Sequence, residues 1–377
     1  MEVQMKKLVM SLILTLILAT GVHAASDFIK IGLMAPMTGS WASEGLEMKQ
    51  VLELLAQKIN TSGGLLGKNV EIIVEDDAGD PRTAALAAQR LSTSGIVGVI
   101  GTYGSSITEA SQTIYDEEGI IQIANGSTAV RLTEKGLKHF FRTCPRDDEQ
   151  GRVAAQTIQK LGYKNVAILH DNTTYAKGLA DETRRHLKTN KIRICFFDAL
   201  TPGERDYSTI LTMLKGKKPD VVFFTGYYPE AGLLLRQKRE LNWKTPFIGG
   251  DATNHPDLIK IAGRDAAEGF RFISAPLPQD LPFRQARTFV SDFKSAYGTT
   301  PNSIYALLAG DGFRVLTYAI EKTKSLDKKA ISKYLHHQLK SFRGLTGRIT
   351  FNDKGDRIGD IYSNYMVVVK TFFELQQ

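Results

Sequence analysis

Cysteine is scarce in this 377-residue chain, with only Cys144 and Cys195. The seven histidines form no cluster with them, which argues against a zinc site. Cys195 lies in the apolar run IRICFF, where a thiol packs as a small hydrophobe, so both cysteines are expected to stay free. Long apolar runs are missing as well. The stretch Leu8–Thr20 has 13 residues, against the ~20 that a membrane-spanning helix needs. Charge of one sign is not concentrated, although the formal net charge is +8; the densest basic cluster is Lys215-Gly216-Lys217-Lys218. Scattered charge of this kind is solvated surface and excludes a nucleic-acid partner. Catalytic signatures are absent too. The first strand is followed by Met34-Ala35-Pro36-Met37-Thr38-Gly39 instead of G-x-G-x-x-G, and there is no G-x-S-x-G elbow. His336 and His337 are adjacent and point apart on a helix. No enzyme, cofactor or metal is expected.

Lys6 and Lys7 precede the short apolar run, and Val22-His23-Ala24 ends it with small residues. That order describes a secretory signal peptide over residues 1–24, cleaved near Ala24, and hence a periplasmic protein. No cysteine stands at the cleavage point to carry a lipid. Losing Lys6, Lys7 and Glu2 takes one charge off, leaving +7 on about 350 residues, enough for two domains with separate cores.

Short apolar runs rich in β-branched residues alternate with amphipathic stretches. The predicted strands are Ile29–Met34, Val70–Glu75, Val97–Gly101, Ile120–Ala124, Val166–His170, Ile192–Asp198, Val221–Gly226 and Pro246–Gly249. Helical patterns lie between them, as at Glu44–Ile59, Pro81–Ser94, Ser106–Glu117 and Ala176–Lys188. This is the pattern of βαβ units and an α/β fold with parallel sheets covered on both faces. The rhythm loosens at Phe140–Asp148, Ser274–Pro282 and Ser341–Gly347. Three such passages divide the mature chain into 25–143 with 277–345 and 144–276 with 346–377. A hairpin is predicted from Arg348–Asn352 through the turn Asp353–Asp356 to Tyr362–Val369.

Ligands of open parallel sheets bind beyond the carboxyl ends of the strands. One such end carries Thr102-Tyr103-Gly104-Ser105-Ser106 before a helix, and the next carries Asn125-Gly126-Ser127-Thr128-Ala129. Taken alone, Ser105 and Ser106 read first as caps of their helix, but hydroxyls and helix N–H groups on two adjacent strand ends favour an anion. Later ends carry Tyr175, the pair Tyr227-Tyr228, and Asp251 after a glycine pair. An anion site on one lobe, with a carboxylate and tyrosines on the other, is the chemistry that clamps an α-amino acid.

Several ordered motifs carry a family resemblance: IKIGLMAPMTG (29–39), INTSGGLLGK (59–68), EDDAGDPRTA (75–84), IGTYGSS (100–106), YAKGLA (175–180), TPGERDYS (201–208) and IGGDA (248–252). The chain resembles the exported substrate-binding proteins of branched-chain amino acid ABC transporters, of the leucine/isoleucine/valine type. The resemblance implies a type I periplasmic-binding fold, two Rossmann-like lobes joined by three hinge crossings. It implies a monomer that closes on a small, branched-chain or aliphatic α-amino acid and presents it to an inner-membrane permease. A sensor serving a receptor, or a binder of amides or other amino compounds, shares the fold. Carried over motif by motif, Ser105, Gly126, Ser127 and Thr128 would hold the α-carboxylate, and Tyr227 and Asp251 the ammonium. Tyr175 would pack over the ligand, with Trp41, Tyr103 and Tyr305 lining the side-chain pocket. Leucine-type members carry Glu at the position of Asp251 and an aromatic near Glu44. They also bridge cysteines at the positions of Gly79 and Gly104.

Overall fold

The computed structural model describes residues 28–359, 361–368 and 371–375; the signal segment lies outside them. A first sheet is built by β1 (Phe28–Ala35), α1 (Ala42–Thr61), β2 (Asn69–Asp76), α2 (Pro81–Thr93), β3 (Gly98–Ile100), α3 (Ser105–Glu117), β4 (Ile121–Ala124) and β5 (Phe140–Arg142). Its five strands are all parallel in the order 2-1-3-4-5. The reversal between β1 and β3 is the topological switch point at which such sheets bind ligands. The strands β3, β4 and β5 are entirely buried, as a sheet covered on both faces requires. Asp80 caps α2 by accepting from the Arg82 and Thr83 N–H groups, with Pro81 in the first helical position.

The second sheet repeats the plan. It contains α4 (Asp147–Lys160), β6 (Asn165–His170), α5 (Thr174–Thr189), β7 (Arg193–Ala199), α6 (Ser208–Gly216), β8 (Val221–Phe224), α7 (Tyr228–Glu240), β9 (Phe247–Gly249), α8 (Asp257–Ala262), α9 (Arg264–Ala267) and β10 (Arg271–Ser274). The parallel order 7-6-8-9-10 has the same reversal, now between β6 and β8. The chain then returns to the first sheet as α10 (Arg284–Tyr297), α11 (Ile304–Thr323) and α12 (Lys328–His337). Helix α11 is almost wholly buried, its apolar length lying under β3 and β4; a Cβ on Gly312 would touch Ile123 and Ile100. A small antiparallel pair, β11 (Phe342–Gly344) and β12 (Gly347–Ile349), leads back to β13 (Ser363–Val368) and β14 (Thr371–Leu375) at the edge of the second sheet. The chain therefore passes between the sheets three times. Two Rossmann-like lobes with three crossings make this a type I periplasmic-binding fold.

The predicted hairpin forms only beside its turn, where Phe351 pairs antiparallel with Arg357 and the Ile358 N–H donates to the Thr350 carbonyl at 2.9 Å; it does not extend to Tyr362–Val369. Its turn exists, with Asn352 Oδ1 accepting from the N–H groups of Lys354 and Asp356. Its flanks pair elsewhere: β12 with β11, and β13 antiparallel with β10 and β14. The open edge of the second sheet offers more ladder partners than the short local hairpin. Both cysteines are free, as expected, Cys144 buried and Cys195 half-buried.

The first and third crossings are tied by Arg142, whose side chain is fully buried. Its Nε donates to Asp356 at 2.6 Å and its Nη2 to the Thr133 hydroxyl at 2.6 Å. Its Nη1 donates to the carbonyls of Ser127 and Ala129, at 3.1 and 2.9 Å. Arg146 reaches the other Asp356 oxygen at 2.8 Å. Burial alone would push the Asp356 carboxyl up, but the two guanidiniums hold it below the usual range.

Candidate functional site

The carboxyl ends of both parallel sheets meet at the seam between the lobes, which are shut on each other. Tyr228 donates from its hydroxyl to the Ser40 carbonyl at 2.7 Å, and Ser43 to Asp257 at 2.8 Å. On the opposite flank the Thr174 N–H donates to the Ser106 hydroxyl at 3.0 Å, and the Thr174 hydroxyl to Glu109 at 2.8 Å.

On the first lobe, the loops after β3 and β4 are cross-braced. Gly104, not a serine, stands at the N-cap of α3, so the capping alternative for Ser105 and Ser106 fails. The Ser105 hydroxyl accepts from the Ala129 N–H at 3.2 Å, tying one loop to the other. Ser127 turns inward: its hydroxyl bonds Thr108 at 2.7 Å and donates to the Thr102 carbonyl at 3.0 Å. It braces the loop from within. The Thr128 hydroxyl, by contrast, is buried and outside hydrogen-bond geometry with any described residue, though close enough to Asp147 to draw that carboxyl down slightly. Gly126 lies against Tyr103, whose carbonyl would be 2.7 Å from an added Cβ. The loop thus presents Thr128 beside the start of α3, where a positive dipole end favours an anion.

On the second lobe, Asp251 follows β9 and is 3% exposed. Tyr175 donates to its Oδ1 at 2.8 Å and Tyr362 to its Oδ2 at 3.4 Å. Gln150 Oε1 accepts from the Asp251 N–H at 3.4 Å. Gly250 is small because it must be: a Cβ there would stand 2.4 Å from the Tyr175 hydroxyl and 3.0 Å from Gln150 Oε1. Burial pushes the Asp251 carboxyl up despite these hydrogen bonds. A second carboxyl, Asp147, opens α4 on the first crossing and is fully buried. Neither of its oxygens meets hydrogen-bond geometry among the described residues. Burial, and then the neighbouring Asp251 charge, push it well above the carboxylate range.

Between the two half-sites sits an aromatic cage. Trp41 lies 4.2 Å from Tyr227 and 5.5 Å from Tyr103, centroid to centroid. Tyr103 is 5.0 Å from Tyr305, and Tyr227 is 5.3 Å from Tyr175. All ten sequence-selected residues line this seam or brace it. Gln150, Asp147 and Tyr362, on or beside the crossings, were missed; the only signal was the acidic start of α4 beside Arg146. The indole of Trp41 also fills the space where leucine-type members are expected to carry a disulfide. A Cβ on Gly79 would meet it at 2.8 Å and one on Gly104 at 3.0 Å. An open surface groove lined by Leu55, Lys58, Phe313, Tyr318 and Phe342 lies outside the seam and includes none of these residues.

A two-lobed fold whose facing strand ends carry an anion-ready loop and a buried carboxylate defines a solute-binding protein. The family profile described as periplasmic binding protein matches residues 29–369, and the chain belongs to that family. It is 35% identical to the Leu/Ile/Val-binding protein BraC3 of Rhizobium johnstonii, over 96% of each chain. It is 33% identical to a leucine-, isoleucine-, valine-, threonine- and alanine-binding protein of Pseudomonas aeruginosa, over 88% of each. Among solved structures, the leucine-binding protein LivK of Thermotoga maritima superposes with a TM-score of 0.86 at 27% identity, covering 93% of this chain and 98% of that one. The substrate-binding protein LivJ of Streptococcus pneumoniae, solved with isoleucine, gives 0.82 at 29% identity, covering 90% and 95%.

Buried acids give the site a pH signature. Burial pushes Glu44 up to about 8 and Glu47 up to about 7; Asp77, near the site, also rises to about 7. A carboxyl whose folded pKa is raised stabilises the fold fully below its unfolded value and loses that contribution as pH rises through the folded value. Buried His255, lowered to about 4, acts oppositely on the acid side of 6.5. Ligand-free protein is therefore expected to lose melting temperature between about pH 6.5 and 8. Glu44→Gln should flatten that slope; an unchanged slope in thermal melts would contradict it.

Proposed function

We propose that this chain is the solute-binding component of an ABC importer, which captures a small α-amino acid between two closing lobes and presents it to an inner-membrane permease. The lobes are taken as 25–143 with 277–345, and 144–276 with 346–377. The observation that carries the reading is the pairing across the seam. Thr128, Ser105 and the start of α3 face the α-carboxylate, while Asp251, framed by Tyr175 and Tyr362, takes the ammonium. Tyr227 stands on the same side, and Trp41, Tyr103 and Tyr305 cover the side chain. The names of the relatives support an amino acid. Nothing in this arrangement requires a nucleophile, metal or cofactor. The protein acts after removal of residues 1–24 in the periplasm, as a diffusing monomer. Ligand selects the shut state because only that state contacts it from both lobes.

A thermal-shift panel of the twenty amino acids, small amides and γ-amino acids tests this. At a hundredfold excess over Kd, binding adds about 2.7 kcal/mol, a shift of roughly 4 °C for a chain of this length. Silence toward every α-amino acid would sink the reading.

A further inference from the structure

Trp41 and Glu44 stand three residues apart at the start of α1 and so share one side of its first turn. Trp41 packs on Tyr103 and Tyr227. Glu44 is fully buried beside them. Ser303 donates to its Oε2, yet its Oε1 has no hydrogen bond among the described residues. Oε1 faces His255 Nε2 across the seam at 4.0 Å, too far for a hydrogen bond. His255 is fixed there by stacking on Tyr228 at 4.3 Å and by accepting the Asp257 N–H on Nδ1 at 3.1 Å. The Tyr103 hydroxyl is likewise buried and unpartnered among the described residues. Burial, and after it the Glu44 charge, push the Tyr103 hydroxyl well above its ordinary value.

A buried oxygen without a donor costs about 1–3 kcal/mol. An aliphatic ligand side chain would leave Glu44 Oε1 and the Tyr103 hydroxyl in that condition. A side chain ending in N–H or O–H would pair them. Resting on the α-amino acid reading above, we propose that Glu44 closes the side-chain end of the site and selects α-amino acids whose side chain ends in a hydrogen-bond donor. Both neutral donors (hydroxyl, amide) and a cationic ammonium have this chemistry, and aromatic faces such as those of Trp41 and Tyr103 suit either.

Calorimetry at one pH with shape-matched pairs tests the proposal: threonine against valine, asparagine against leucine, lysine against norleucine. In at least one pair the donor-bearing member should bind about 10–100-fold more tightly. Glu44→Leu should reverse that preference. Glu44→Gln should keep a preference for a neutral donor but lose one for the cation, which identifies the source. If Glu44→Leu does not melt cooperatively, the wild-type ratios and Glu44→Gln decide alone. Equal or tighter binding of the aliphatic member in every wild-type pair, with the ranking unmoved by Glu44→Gln, overturns the proposal and leaves the α-amino acid reading standing. No binding by any of the six compounds overturns the proposal, and the twenty-amino-acid melting panel then decides the α-amino acid reading.

Discussion

Asp251→Asn is expected to give a folded protein that no longer responds to α-amino acids. The asparagine keeps the volume and can still accept from Tyr175, whose hydroxyl stands 2.8 Å from Oδ1. What it loses is the charge that neutralises a buried ammonium. Removing one partner of a desolvated, hydrogen-bonded charge pair costs about 2–5 kcal/mol, so Kd should rise by roughly 30- to 4,000-fold. Stability should move the other way. Burial raises the Asp251 carboxyl, so its ionised form opposes folding. Its contribution is fully present below the unfolded value of 3.8 and is lost as pH rises through the folded value. Asn cannot ionise, so the ligand-free variant should melt at or above the wild-type temperature at neutral pH. The same melts with and without ligand check both halves. A retained ligand shift would remove Asp251 from the site.

The two-sheet architecture was legible because strands such as β4 and β8 are buried from end to end, and buried strands read as continuous apolar runs. The strand-end loops followed from topology, and the seam brings Ser105, Thr128, Tyr227 and Asp251 together. The hairpin stops at the Phe351–Arg357 pair, short of Tyr362–Val369, for a complementary reason. The turn at Asn352–Asp356 is set by local hydrogen bonds, but the pairing of β13 is decided by the free edge of β10, about ninety residues away. Ser127 was legible as a hydroxyl at the right place, not as one turned toward Thr102 and Thr108, because that choice depends on a neighbouring helix turn. Asp147, Gln150 and Tyr362 lie on or beside the crossings, where periodicity stops informing. Their convergence on Asp251 is a product of how the lobes meet. Glu44 was legible as a departure from the aromatic residue of the leucine-type members, and its burial gives that departure a physical consequence.

Arg142→Met is expected to be the most damaging single change at the crossings. Methionine matches much of the length of arginine, so packing is largely kept while four polar contacts go. Asp356, 2% exposed, keeps Arg146, which is itself one-fifth exposed, and a long hydrogen bond from the Asn352 amide at 3.4 Å. The carbonyls of Ser127 and Ala129 and the Thr133 hydroxyl lose their buried donors. Breaking a buried ion pair from one side costs about 3–5 kcal/mol, which for a chain of this length corresponds to roughly 4–7 °C in melting temperature. Binding should weaken as well, since the same guanidinium holds the loop that presents Thr128. The double variant Arg142→Met with Asp356→Leu separates the two causes. It removes the stranded carboxylate and so should recover part of the melting temperature. It cannot restore the support beneath Ser127 and Ala129, so ligand affinity should stay low. If the double variant melts lower than Arg142→Met by the full Asp356→Leu effect, the two side chains are not coupled, and the Arg142–Asp356 pair does not hold the crossings together.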